Sequence, residues 1–410
     1  MNILVLNCGS SSVKYQLFNM DEGIPLAKGD VTRIGMSGAV LSHKPFDRPM
    51  TKVSGDILDH IMAIEHVVSI LLSPNHGVIK DKSDIHAVGH RVVHGGEMFT
   101  SSTLINEEVM MHLRNMIELA PLHNPHNMRG ISACQKILGD IPMVAVFDTA
   151  FHHTIPDYAY IYGLPYVLYK KYQIRRFGFH GTSHYYVAHR AAEILNRKFE
   201  DLNIITCHLG NGASIAAVHK GKSVDTSMGF TPLEGLIMGT RSGDMDPAII
   251  LRIMGLEELS LHEARTLLNK HSGLIGISGV SSDMRDLLEA KKEGNNRARL
   301  AFDAYCYRIK KYIGSYSFAM AGLDAIVFTG GIGENSKEVR AKVMEDMDWI
   351  GAGIDAEKNN STKAIESDIS SSDAKVRTLV IPTNEELVIA RETQNIVGKN
   401  VQDKEVKTSR

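Results

Sequence analysis

The chain has 410 residues, 43% of them hydrophobic and 22% charged, with a formal net charge of −2. That length exceeds one ordinary core and makes two domains the default. The composition is that of a globular protein, and the near-neutral charge argues against a nucleic-acid partner or a polybasic membrane contact. No apolar run approaches a membrane span, no secretory signal is expected, and Cys8, Cys134, Cys207 and Cys306 are scattered without a Cys-x-x-Cys pair, so reduced thiols in a cytoplasm are expected.

Residues 3–6 and 13–18 read as two short strands. Between them lie Gly9, Ser10, Ser11 and Ser12, with Lys14 just beyond. A tight turn of small residues leaves backbone N–H groups bare for a ligand, and hydroxyls with a lysine suit a polyphosphate. The same residues also make an ordinary hairpin turn. Residues 29–53 read as further strand and loop. Residues 57–72 carry apolar side chains at helical spacing, and Pro74 ends the pattern.

Residues 85–96 run Ile-His-Ala-Val-Gly-His-Arg-Val-Val-His-Gly-Gly. As a strand, a period of two puts Arg91 and Val93 on one face and His90, Val92 and His94 on the other. An arginine beside a valine suits a small ligand with one anionic and one apolar end; an arginine snorkelling at a sheet edge is the alternative. His86, His90 and His94 would ligate a metal together only from a helix, and this Val- and Gly-rich stretch is a poor one. Residues 106–120 read as a helix with Asn106 as N-cap and Glu107 and Glu108 in its first turn. A Pro-bounded polar loop, 121–127, enters a second helix that Gly139 ends. Residues 142–150 are a buried strand with Asp148 at its carboxyl end, where α/β sheets meet their ligands.

A second domain is expected to begin near Phe151. Residues 175–184 read Arg-Arg-Phe-Gly-Phe-His-Gly-Thr-Ser-His and lead into a helix through Phe199. Thr182 or Ser183 would cap it, with His180 just before the N-terminus, where anions collect. His180 and His184 are four apart, but the glutamate of a zinc-protease pair is absent. Residues 203–218 then echo the opening at an offset of 201: Ile3 meets Ile204, Asn7 meets His208, Gly9 meets Gly210 and Ser10 meets Asn211. Either two domains begin with one kind of hairpin, each binding one side of a polyphosphate, or two hydrophobic strand pairs look alike by chance.

A Gly-rich loop at 234–246 carries Arg241, and Asp246-Pro247 starts a helix as N-cap and first residue. Residues 281–285 cap another helix, and 296–321 form a long one. Residues 324–336 read as strand, Gly loop and the start of a helix to Met347, with Gly330, Gly331 and Gly333 small enough for an adenosine to lie on the turn. Ser336 breaks the dinucleotide fingerprint, and no Walker A pattern exists, which argues against a P-loop kinase. After a strand at 376–382, Thr383 and Glu386 read as the capping box of a final helix, which leaves Glu385 for a metal. The tail from Lys399 is polar and expected to fray.

Eight segments taken together resemble the acetokinase family: 7–14, 90–96, 147–149, 177–184, 208–212, 239–244, 330–335 and 382–386. They cover the chain from end to end, in order. The resemblance implies an α/β fold, with two related domains of the acetate and sugar kinase, Hsp70 and actin (ribonuclease H-like) type around an interdomain nucleotide cleft. It implies a first domain of residues 1–150 plus 384–398, a second of 151–383 carrying the adenosine side and the dimer interface, and a tail of 399–410. It further implies ATP as co-substrate, Mg²⁺ with Mn²⁺ as a substitute, a homodimer, and reversible in-line transfer of the ATP γ-phosphoryl group to acetate. A propionate or butyrate kinase of the same family, or an ATPase switch like Hsp70 and actin, are the alternatives. A switch needs no second-substrate pocket, and a sugar kinase would need polar groups for hydroxyls.

Residue by residue, the resemblance implies that Asn7 and Glu385 lie near magnesium and that Ser10, Ser12 and Lys14 lie near the phosphates. His208, Leu209, Gly210, Asn211 and Gly212 would hold ATP, with Asp283, Met284 and Arg285 and with Gly331, Ile332, Gly333, Glu334 and Asn335. Arg91 would bind the acyl substrate, Arg241 and His180 would stabilise the transferring group, and Asp148 takes the family's acid role, with His123 nearby. Val93, Leu122, Phe179 and Pro232 would enclose the methyl group. Acetate is already ionised at neutral pH, so a general base is unnecessary in the forward direction. Asp148 is therefore expected to orient an arginine or metal-bound water.

Overall fold

The structure is a computed structural model and describes residues 1–120 and 123–408, the last eight of these by backbone alone. The chain divides into two compact units, Met1–Ala150 with Asn384–Arg410, and Phe151–Thr383.

The first unit is built on an eight-stranded sheet. Its strands are β1 (Asn2–Cys8), β2 (Ser12–Asn19), β3 (Ile24–Thr32), β4 (Ala39–Pro45), β5 (Thr51–Gly55), β6 (Ala87–Val92), β7 (Thr103–Leu104) and β8 (Met143–Phe147), in the order β5-β4-β3-β2-β1-β6-β8-β7. β1, β6 and β8 run parallel, and the others join antiparallel. β1 is almost continuously apolar because both of its faces are covered. Leu4, Leu6 and Cys8 pack toward the helices His60–Leu71 and Asn124–Leu138, and Ile3 and Val5 pack with Ile389 and Val397 of the final helix. That final helix comes very close to β6. A Cβ at Gly89 would stand 2.4 Å from Thr393 Oγ1 and 2.7 Å from Ile389 Cγ2, so only glycine fits there.

Local chemistry sets the helix ends. Asp59 accepts a bond from Met62 N, so the first helix starts at His60, three residues later than the apolar pattern suggested. The helix Glu107–Asn115 is capped by Asn106 but ends before residue 120: Ile117, Leu119 and Ala120 bond three residues back and tighten the chain into successive turns. The final helix spans Glu385–Thr408. Its cap is Asn384, whose Oδ1 accepts from Leu387 N, and not Thr383. The expected tail from Lys399 is a continuation of this helix, because Gly398 alone costs only about 1 kcal/mol and no proline follows.

The second unit repeats the arrangement. Its strands are β9 (Asn203–Leu209), β10 (Ala213–His219), β11 (Lys222–Thr226), β12 (Ala325–Thr329), β13 (Ser367–Asp368) and β14 (Arg377–Val380), in the order β11-β10-β9-β12-β14-β13. β9, β12 and β14 are parallel, and a two-residue antiparallel strand closes the edge, as β7 does in the first unit. The series β3-β2-β1-β6-β8-β7 and β11-β10-β9-β12-β14-β13 therefore share one topology. The offset of 201 holds through the first strand and into the turn and then drops to 200. Cys8 pairs with Val13 across four residues, whereas Leu209 pairs with Ala213 across three.

Candidate functional site

In the first unit, the carboxyl ends of β1, β6 and β8 lie side by side and bring polar residues together. Arg91, next to last in β6, donates from Nε to Asp148 Oδ1 at 3.0 Å and from Nη2 to Oδ2 at 2.5 Å. Asp148 follows the last residue of β8 and is fully buried. Arg91 Nη1 also donates to Asn7 Oδ1 at 3.3 Å, and its Nε is 3.9 Å from Glu385 Oε2. Burial disfavours the charge on Arg91, but Asp148 and then Glu385 outweigh it and raise the guanidinium above its usual value. Among the described residues no cluster of three His, Cys, Asp or Glu is placed to hold a metal. Asn7, Asp148 and Glu385 nonetheless gather oxygen donors around one guanidinium, and such hard donors fit Mg²⁺, which keeps several waters.

The Gly-Ser turn closes through Gly9 N donating to Ser12 O at 2.8 Å, and His60 Nε2 donates to Gly9 O at 2.7 Å. Lys14 faces Asn7 across the β1–β2 register, and both Lys14 and Ser10 are exposed. Val93 differs from expectation. β6 ends at Val92, so strand alternation no longer places Val93 on the face of Arg91. Asn127 places it instead: Oδ1 accepts from Val93 N at 3.1 Å, and Nδ2 donates to Cys8 O at 2.8 Å. Asn124 does the same for the next residue, bonding both the N and the O of His94. Sequence reasoning passed over both asparagines. Their only local signal was two short polar side chains three apart at the start of an apolar helix. His123 occupies the N-cap position of that helix, and Leu122 lies outside the described residues. His86 precedes β6, His90 lies within it and His94 follows it, and no metal cluster is found among the described residues; burial pushes His90 down to about 3.

In the second unit, a cavity of about 1000 Å³ is lined by Gly210, Asn211, Asp283, Met284, Arg285, Gly331, Ile332 and Asn335, with Lys292 and Lys363 also on its wall. Its size suits a nucleotide. Asp283 caps the helix Met284–Lys292, and the hydrogen bonds from Arg285 hold its carboxyl down to about 2. The expected Gly loop after β12 is a short helix, Gly330–Asn335. Gly330 has φ 76°, and a Cβ there would stand 2.8 Å from Leu209 O, whereas a Cβ at Gly331 would meet nothing within 4 Å.

Two charged residues brace this helix from behind. Glu334 Oε1 accepts from Gly330 N at 2.9 Å and Thr383 N at 3.1 Å, so its carboxylate is turned into the fold. Arg340, fully buried, donates to Gly333 O and Glu334 O and to Asn359 and Thr362, and burial pushes it down to about 10. Leu209 is fully buried in β9, behind the turn.

His180 occupies the N-cap position of the helix Gly181–Ile194 in a left-handed conformation, φ 57°. The expected caps Thr182 and Ser183 fall in the first turn instead. His180 stacks on His208 with centroids 4.3 Å apart. Ser183 Oγ is 2.8 Å from His208 Nδ1. Arg241 donates to Pro232 O at 3.2 Å and makes no ion pair among the described residues; burial lowers its pKa. A Cβ on Gly212 would lie 3.4 Å from Arg241 Nη1 and 3.6 Å from His180 Nε2, so both side chains converge on the β9–β10 turn. Phe179 is buried, and its carbonyl accepts from His152 Nε2 at 3.1 Å. Overlooked in the sequence was Arg176, which pairs with Glu234 at 2.8 Å and with Asp225 at 3.5 Å.

The acetokinase family profile matches residues 2–391. An acetate kinase of Acetivibrio thermocellus is 57% identical over 397 residues, 97% of this chain and 99% of that protein. One from Desulfitobacterium hafniense is 56% identical over 399 residues, 97% of this chain and the whole of that protein. Among solved structures, an acetate kinase of Porphyromonas gingivalis superposes with a TM-score of 0.92 at 48% identity, covering 97% of this chain and 99% of that one. A propionate kinase of Francisella tularensis superposes with a TM-score of 0.90 at 44% identity, covering 96% and 99%. The two mixed sheets with their helices are thus the α/β fold of these kinases, and the chain belongs to the acetokinase family.

Proposed function

We propose that the protein is a carboxylate kinase that transfers the γ-phosphoryl group of ATP to acetate, reversibly, giving acetyl phosphate and ADP. The observation that carries this reading is Arg91: a partly buried guanidinium held by both carboxylate oxygens of Asp148, two residues before the buried Val93. The high identity to acetate kinases over nearly the whole chain supports it. Arg91 binds the acyl carboxylate, Asp148 orients Arg91, and Val93 limits the alkyl end, with Leu122, Phe179 and Pro232 assigned to the same role.

Phosphoryl transfer spreads negative charge over three equatorial oxygens, so positioned donors do most of the catalysis. Arg241, with no ion pair among the described residues, is suited to that charge, and His180 adds a donor directed at the same β9–β10 turn. Asn7 and Glu385 would hold Mg²⁺, which neutralises phosphate charge when bound. Ser10, Ser12 and Lys14 meet the phosphoryl end. The nucleotide lies against Gly210, Asn211, Asp283, Met284, Arg285, Gly331, Ile332 and Asn335, and Glu334 and Arg340 hold the turn in shape. A cytoplasmic homodimer fits the exposed apolar helix Pro247–Leu256, in which Leu251 is 71% and Leu256 67% exposed.

Propionate as the preferred acceptor is the second reading, favoured by the likeness to a propionate kinase. The deciding assay is ADP release with Mg-ATP and acetate, propionate or butyrate, with the acyl phosphate trapped as its hydroxamate. Acetate-dependent ADP and acetyl hydroxamate in equal amounts are expected. Hydrolysis independent of any carboxylate would overturn the reading in favour of an ATPase switch.

A further inference from the structure

The ring of His180 is connected to the interior by a chain of hydrogen bonds whose protons can be counted. His180 Nδ1 lies 2.9 Å from Ser214 Oγ. Ser214 Oγ lies 2.7 Å from His184 Nε2, and His184 Nδ1 lies 2.7 Å from Thr206 Oγ1. Ser214, His184 and Thr206 are all fully buried, so water does not share these bonds. Among the described residues, neither Thr206 Oγ1 nor Ser214 Oγ has another hydrogen-bond partner.

Each hydroxyl carries one proton, and each neutral imidazole carries one. If His184 donated from Nδ1 to Thr206, the Thr206 proton would be left buried without an acceptor. If Ser214 accepted from both histidines, its own proton would be orphaned. Leaving a buried donor unmet is the costly outcome. One arrangement uses every proton: Thr206 donates to His184 Nδ1, His184 Nε2 donates to Ser214, and Ser214 donates to His180 Nδ1. His180 Nδ1 is then an acceptor, and the ring proton sits on Nε2.

A second chain has the same polarity. Thr383 Oγ1 donates to Ser183 Oγ at 2.8 Å, leaving the Ser183 proton for His208 Nδ1. His180 and His208 are stacked 4.3 Å apart, which disfavours charging both rings.

We infer that Ser214, backed by His184 and Thr206, is a positioning residue that holds His180 as a neutral ring with its proton on Nε2, the nitrogen nearest the β9–β10 turn. His180 is then an N–H donor to an anion at that turn, and neither a base nor a fixed cation. The catalytic consequence rests on the carboxylate-kinase reading; the tautomer does not, since it is a property of the protein without substrates.

The test is a long-range ¹H–¹⁵N correlation spectrum of the whole protein labelled with ¹⁵N-histidine, without ligands, at pH 7.5. The His180 signals are assigned by their loss in His180→Gln. A neutral ring protonated at Nε2 is expected. An Nδ1–H tautomer or an imidazolium overturns the inference, whatever the enzyme phosphorylates. In Ser214→Ala the ring is expected to become a mixture of tautomers, with kcat down about tenfold and KM for ATP unchanged. Ser214→Thr, which keeps the hydroxyl, should restore the single tautomer. An unaltered Nε2–H tautomer in Ser214→Ala also overturns the assignment. If that variant does not fold, the spectrum of the unaltered protein decides alone.

Discussion

Arg91 and Asp148 lie 57 residues apart in sequence and form a two-pronged ion pair at the ends of adjacent parallel strands. Asp148 is fully buried, and its two oxygens each take one guanidinium N–H, which fixes the plane of Arg91. In the proposed mechanism an aspartate engaged in this way orients the arginine and moves no proton. Asp148→Asn should therefore lose at least 100-fold in kcat, and raising the pH should not restore it. Arg91→Lys should be impaired to a similar degree, because an ammonium lacks the planar fork. The pH profile of kcat/KM checks both; recovery of Asp148→Asn at high pH would show an acid–base role.

Val93 is buried and held by Asn127 at the exit of β6. One methylene in an apolar pocket changes discrimination by about 1–3 kcal/mol. Propionate should be used less well than acetate, and Val93→Ala should narrow the difference. The ratio of kcat/KM for the two acids is the measurement. An unchanged ratio would remove Val93 from the acyl pocket.

Gly330 and Gly331 are neighbours with opposite constraints. At Gly330, φ is 76° and a Cβ would press on Leu209; at Gly331 the space is open. Gly330→Ala should cost about 1–3 kcal/mol of stability. Gly331→Ala should leave the melting temperature within a degree or so and weaken ATP binding instead, since Gly331 lines the large cavity. Thermal melts and nucleotide titrations separate the two effects.

Burial holds several histidines neutral. It lowers His90 and His94 to about 3 and His152 to about 4, from a usual 6.5, and lowers His184 as well. Below pH 6.5 the unfolded chain binds protons that the folded rings refuse. Their contribution is therefore complete above pH 6.5 and is lost as the pH falls toward 3–4. Each ring contributes a slope approaching about 1.4 kcal/mol per pH unit in that window. Urea titrations at pH 7, 6 and 5 should show stability falling steeply. Equal stability at pH 7 and 5 would contradict the burial of these rings.

Much of this protein was legible from residues a few positions apart. Apolar runs located β1, β8, β9 and β12, small residues marked the turns, and Asp148 stood at a strand end. The likeness of residues 3–10 to 204–211 anticipated the topology that both units share. These signals are local, because a strand or turn is decided by side-chain periodicity and backbone freedom over fewer than ten residues. Local reading also erred locally: it placed the last helix cap at Thr383 when Asn384 accepts the bond, and it carried strand alternation one residue too far, to Val93.

Tertiary structure alone decided which distant groups meet. Strand order and register set Arg91 against Asp148, and the entry of one helix into the sheet made Asn124 and Asn127 the clamps of the 93–94 backbone. Arg340, an unremarked arginine in a polar stretch, became the fully buried donor that holds the carbonyls of the Gly330–Asn335 helix. Val339, Val343 and Met344 mark the buried face of its helix, but the partners Asn359 and Thr362, 19 and 22 residues on, come only with the assembled fold. A polar side chain is tolerated inside only where the assembled fold supplies its partners, and those partners come from other parts of the chain.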